Sequence, residues 1–105
     1  MKVEGLMPIG SVVMLLGGEH RVMITGYAQR KVGEENKLFD YAGCLYPEGM
    51  IGPDKTILFN RESIERVFAL GYTNEESLRF LEDAEAQLAE IRSGMSRENG
   101  SEANA

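Results

Sequence analysis

Cysteine is almost missing from this chain. Cys44 is the only one among 105 residues, so no internal disulfide can form, and a reducing, cytoplasmic compartment is the expectation. A lone thiol in an apolar run reads as a small buried hydrophobe, because no histidine or second cysteine lies nearby to activate it. Histidine also occurs once, as His20. A triad or a His-based metal site would need partners that the local sequence does not bring to it. Long hydrophobic runs are lacking as well: the longest, Val12 to Leu16, is too short for a signal peptide or a membrane span. Positive charge is scarce, with 11 Lys and Arg against 17 Asp and Glu for a net charge of −6. That balance opposes a phosphate backbone, so nucleic acid is set aside as a partner.

What is present suffices for one folded unit. At this length folding hides roughly two-thirds of the surface of the unfolded chain, and 43% hydrophobic with 27% charged residues lies near the globular average. Pro8-Ile9-Gly10-Ser11 reads as a turn leading into a first strand over Val12 to Leu16. Gly17-Gly18 can take the positive φ of a tight hairpin, and a second strand follows from Arg21 to Gln29. Gly33 to Lys37 reads as an exposed connection. A third strand from Leu38 to Tyr46 has apolar residues on both faces and is expected to be central. Gly26 and Gly43 inside strands point to curvature or close backbone approach. Turns at Tyr46-Pro47-Glu48-Gly49 and Ile51-Gly52-Pro53-Asp54 precede a short strand over Thr56 to Phe59.

Two helices are expected after the sheet. The first, about 61–70, places Ile64, Val67 and Phe68 on one helical face, with Asn60 as N-cap and Gly71 after the C-cap. The second, about 74–92, opens on a Thr73/Glu76 capping box and carries the stripe Leu78, Leu81, Ala84, Leu88 and Ile91. That stripe can close the chain's own core or pair with another chain, which leaves a homodimer through the C-terminal helix open. Residues 93–105 lose the apolar period and read as a disordered tail. Acidity gathers late: residues 60–105 hold ten acidic and five basic side chains, against seven and six in residues 1–59.

Chemistry is hard to find. The acid pairs Glu34-Glu35, Glu75-Glu76 and Glu82-Asp83 lack cation-loop spacing and suit helix starts or solvated faces. Gly17-Gly18 lacks the spaced glycines and following helix of a phosphate loop. Tyr72 and Glu76 fit a loose Tyr-x-x-x-acid export pattern that four tyrosines and seventeen acids also meet by chance. No catalytic, cofactor-binding or metal residues are assigned. What remains is surface: Tyr27, Arg30, Tyr46, Pro47, Glu48 and Tyr72 at element ends or turns, with Leu88 and Ile91 on the late helix, are the candidate partner-binding residues. The tyrosines serve equally well as rim residues of the core.

A run of landmarks carries a family resemblance. Pro8-Ile9-Gly10-Ser11-Val12-Val13, Gly17-Gly18, Met23-Ile24 with Gly26, Asp40-Tyr41 with Gly43, Leu45-Tyr46-Pro47-Glu48-Gly49, Phe59-Asn60 and Gly71-Tyr72 resemble domain-of-unknown-function family 4176. The resemblance extends over residues 6 to 80. It implies a small protein of Gram-positive bacteria, encoded beside LXG-type toxins and type VIIb (ESX-like) secretion genes, acting as a cytoplasmic adaptor or chaperone. Arg61-Glu62-Ser63 departs from the His- or acid-containing version of the family at that place. No catalytic residue is carried over.

The reading is therefore an α+β domain over residues 6–92. A small curved antiparallel sheet (about 9–59), for which an SH3-like partial barrel is one form, is followed by two C-terminal helices. Its expected function is a non-catalytic adaptor or targeting chaperone for an LXG-type toxin or related type VII secretion substrate. Two alternatives stand beside it: an immunity protein that neutralises the toxin, and a small ligand-binding or enzymatic module with a pocket lined by Asp40, Tyr41 and His20. No cofactor, nucleic acid or membrane partner is expected.

Overall fold

Runs of branched and aromatic residues separated by glycine turns build an antiparallel sheet, and a computed structural model describes it for residues 5–104, with side chains through Gly94. The strands are β1 (Val12–Leu15), β2 (Arg21–Lys31), β3 (Glu34–Tyr46), β4 (Ile57–Phe59) and β5 (Ile64–Ala69). They lie in the order β4-β3-β2-β1-β5, and one helix, α1 (Glu75–Asn104), follows them. The fold is α+β. β3 is interior, as its two apolar faces require, with β2 and β4 on either side.

Several expectations need correction. The hairpin between β2 and β3 has no loop over Gly33 to Lys37: both strands run on until Lys31 pairs with Glu34, and Val32-Gly33 makes the turn with Gly33 at φ 87°. The sheet is open, without SH3-like closure, because β5 pairs with β1 while β4 spans only three residues at the far edge.

The helix expected at 61–70 is also absent. A single 3-10 turn, Arg61–Ser63, leads directly into β5. The cause is visible in the β1–β5 register, where Val12 pairs with Ala69, Val13 with Val67, Met14 with Arg66 and Leu15 with Ile64. Phe68 and Glu65 are the extra residues of two bulges. A bulge stretches the local strand period from two to three, so Ile64 and Val67 both reach the core at a spacing that resembles a helix. The free edge of β1 supplied the competing interaction.

Gly71 accordingly caps no helix. A Cβ there would lie 1.9 Å from the Ile9 carbonyl oxygen, and the Gly71 N–H donates to Ser11 Oγ at 3.0 Å. Gly43 is also pressed, though less closely: a Cβ there would lie 2.7 Å from the Met23 carbonyl oxygen, which accounts for glycine inside a central strand. The capping box of α1 sits one residue later than Thr73/Glu76. Asn74 Oδ1 accepts from the Ser77 N–H and Ser77 Oγ from the Asn74 N–H, both at 2.8 Å. The second helix, expected over about 74–92, runs from Glu75 to Asn104 and so takes in residues 93–104, where a disordered tail was expected; side chains beyond Gly94 lie outside the described set.

The core lies between α1 and one face of the sheet. Leu81 and Leu88 of α1 pack with Val13, Val22, Ile24, Tyr41 and Phe59, and Leu6 and Met7 join them from the N-terminal segment. Burying Leu88 to 2% exposure contributes about 2 kcal/mol or more.

Candidate functional site

Two kinds of residue stand out once α1 is in place: a polar node beneath its middle, and an apolar strip along one flank. The node forms because Phe39-Asp40-Tyr41 puts an acid inside a central strand. Asp40 is fully buried, and a carboxylate there requires partners. Arg61 supplies its backbone N–H at 2.9 Å and Nε at 3.2 Å to Oδ2. Arg92, one turn beyond Leu88 on α1, donates to Oδ1 at 2.5 Å and to the Leu38 carbonyl at 2.9 Å. Glu85 binds Arg61 at 2.9 Å, and Asn60 Oδ1 accepts from the Asp40 N–H at 3.0 Å and from Arg92 at 3.2 Å. Burial alone would raise the Asp40 carboxyl, but the hydrogen bonds from Arg61 and Arg92 outweigh it and hold it below the ordinary range. Arg61 is correspondingly raised, burial being outweighed by Asp40 and Glu85.

A second anchor holds the N-terminal segment. Tyr27 donates to the Met7 carbonyl at 2.6 Å while the Met7 N–H donates to the Tyr41 hydroxyl at 3.0 Å. Burial, with the neighbouring Tyr41, pushes the Tyr27 phenol up to about 12. No buried side-chain nitrogen or oxygen among the described residues lacks a hydrogen-bond partner.

The apolar strip is different in kind. β1 pairs with β2 only as far as Met23, and bonds from Gly10 and to Ser11 extend the contact to Ile24. Beyond that point, among the described residues, β2 keeps β3 as its sole strand partner to Lys31. Between this open stretch and α1 lies a concavity of about 450 Å³ walled by Ile9, Tyr27, Phe80, Leu88 and Ile91. A smaller one of about 100 Å³ adjoins it, between Tyr27, Tyr72 and Phe80. Phe80 is 56% exposed, Ile9 54% and Ile91 39%, so three large apolar side chains edge the larger depression, and Tyr72, 81% exposed, edges the smaller one with Phe80 and Ile9. Phe80 tilts onto Tyr27 with centroids 6.1 Å apart. The opposite flank of α1 carries another depression of about 530 Å³ beside Leu6, Leu78 and Ala86, rimmed by Glu82 and Glu85.

Of the candidate partner-binding residues, Tyr27, Tyr72 and Ile91 come together here. Leu88 does so only as the floor, since it is buried in the chain's own core. Arg30 stands exposed near the β2–β3 tip, its guanidinium on the Glu35 carbonyl. Tyr46, Pro47 and Glu48 occupy the exposed end of β3 and the turn after it. Asp40 and Tyr41 have no accessible surface, and His20 is exposed in the β1–β2 turn, so the three share no pocket. Ile9 and Phe80 escaped the sequence reading. Phe80 carried a signal, an aromatic between Leu78 and Leu81 on a helix whose stripe was already filled.

No curated protein and no solved structure matches the chain. The family model for a domain of unknown function, DUF4176, matches residues 6–80, about seven-tenths of the length with the whole sheet and the start of α1, and the chain belongs to that family.

Proposed function

We propose that this protein is a non-catalytic adaptor or targeting chaperone that covers an apolar segment of a secretion substrate. The substrate is of the class the sequence resemblance implies, an LXG-type toxin or another type VII substrate in the cytoplasm of a Gram-positive bacterium. One observation carries the reading: among the described residues Ile9, Phe80 and Ile91 are left exposed around a single depression whose other wall is an open strand edge, and Tyr72 is exposed on the smaller depression beside it. Exposed apolar surface gathered in one place marks an interaction site, and aromatics set in a depression are the usual anchors of protein interfaces. An open edge offers main-chain pairing to an extended segment while pockets beside it take its side chains. A recognition role is further supported by the polar node, whose buried charges engage one another and hold α1 in place.

Co-expression with an LXG-type protein from its gene neighbourhood, the partner the resemblance implies, tests the proposal. Co-purification of the pair is expected, and Phe80→Ser or Ile91→Ser should weaken it by tenfold or more, about the loss of one interface anchor. A neighbouring toxin that never co-purifies, or that binds both variants as tightly as wild type, sinks the proposal. Protection of cells from the toxin without support of its export reassigns the chain as an immunity protein.

A further inference from the structure

The face of the sheet turned away from α1 carries a second feature. Val13, Val22 and Val67 point into the core, so the alternate residues Met14, Arg21, Arg66 and Phe68 point the other way. Arg66 pairs across with Met14, the Val13–Val22 register carries Met14 alongside Arg21, and Arg21 pairs with Tyr46. One row across four strands therefore reads Arg66, Met14, Arg21, Tyr46. The guanidinium carbons of Arg21 and Arg66 lie 4.4 and 4.9 Å from the centroid of the Phe68 ring. Two like charges are thus gathered about one aromatic ring, and both arginines are exposed.

The charge balance makes this arrangement unusual. The chain has 17 acidic side chains, yet among the described residues neither Arg21 nor Arg66 takes part in an ion pair, while Arg61, Arg79 and Arg92 all do. Both guanidinium groups lie over the Phe68 ring, and a guanidinium without an ion-pair partner can meet a carboxylate in two-pronged fashion. Met14, Phe68 and Tyr46 supply the apolar and aromatic surroundings of an interface anchor.

We infer that this face is a second docking surface and that it takes an acidic polypeptide segment, one bearing carboxylates beside an apolar residue. Nucleic acid fits it less well, because two cations are few for a phosphate backbone and the remainder of the chain, at net −6, repels one. The surface lies on the opposite side of the sheet from the α1 groove. An adaptor so built can hold a substrate on one face and an acidic acceptor on the other.

The test uses the purified full chain and three fluorescent probes: a peptide alternating glutamate with phenylalanine, the same peptide with glutamine for glutamate, and an oligothymidylate. The glutamate peptide should bind about tenfold more tightly than the glutamine one at low salt, with the gap closing as salt is raised. R21Q and R66Q should each weaken it about three- to fivefold and the pair about tenfold or more. Amide resonances of Met14, Arg21, Tyr46 and Arg66 should shift on binding while those of Phe80 and Ile91 stay in place. Equal binding of the two peptides overturns the inference, and that comparison needs no variant to fold. So does a double variant that binds as wild type, a shift pattern centred on Phe80, or an oligothymidylate that binds more tightly than the glutamate peptide.

Discussion

Replacing Asp40 by Asn tests whether the polar node is what fixes α1 to the sheet. The carboxylate is fully buried and accepts from Arg61 three times and from Arg92 once. An amide keeps the shape, but it loses the charge and turns one acceptor into a donor facing guanidinium groups. Breaking a buried ion pair from one side costs about 3–5 kcal/mol. The arginine side chains are 33% and 37% exposed and Arg61 keeps Glu85, so water and Glu85 return part of that. The expected loss is about 2–3 kcal/mol, a fall in Tm of roughly 10–20 °C for a domain of this size. The pH dependence follows from the direction of the shift. A carboxyl held below its unfolded value, near 3.9, stabilises fully above about pH 5 and ceases to do so as pH falls through the folded value. The gap between wild type and Asp40→Asn should therefore be widest near neutrality and narrow in acid. Thermal and urea melts followed by circular dichroism at a series of pH values read these quantities. Melting within a degree or two of wild type at pH 7, or curves that run parallel down to pH 3, would refute this account of the node.

Two other substitutions probe the frame around it. Leu88→Ala opens a cavity under the middle of α1, where Leu88 is 2% exposed, and should cost about 3 kcal/mol in urea melts without changing the circular dichroism of the folded state. Gly71→Ala puts a methyl group 1.9 Å from the Ile9 carbonyl oxygen. It should destabilise the chain by about 2 kcal/mol or more by forcing apart the Pro8–Ser11 turn and the start of the α1 connection; a neutral Gly71→Ala would mean that this backbone contact is looser than the structure has it.

How much of this was legible depended on how local each cause is. The Gly17-Gly18 hairpin, the central position of the third strand and the burial of Leu81 and Leu88 follow from nearest-neighbour chemistry, and each is written within a dozen residues. β5 was illegible because its bulges gave Ile64 and Val67 a spacing shared with a helix, and only the edge of β1, some fifty residues upstream, decides between them. The capping box was ambiguous within one residue: Thr73 and Glu76 satisfy the rule on paper, but Asn74 and Ser77 satisfy each other in space. Asp40 looked like a stray acid in an apolar strand. Its meaning lies with Arg61 and Arg92, 21 and 52 positions away, a distance no spacing rule reaches.

The node and the groove share α1, and under the proposed function that couples stability to recognition. Arg92 and Leu88, near the middle of α1, hold the helix down, while Phe80 and Ile91 on the same helix stay partly in water. Had the helix only to close the core, Ala at positions 80 and 91 would serve, and Phe80 would not leave more than half of its surface exposed. Leaving it there forgoes roughly 1–2 kcal/mol of burial in the free chain. A segment that filled the depression would recover that burial only while α1 remains seated, so under the proposed function the buried salt-bridge cluster sets the shape of the binding surface without touching what binds. Loosening Asp40 is then expected to weaken capture of the proposed partner from the far side of the helix.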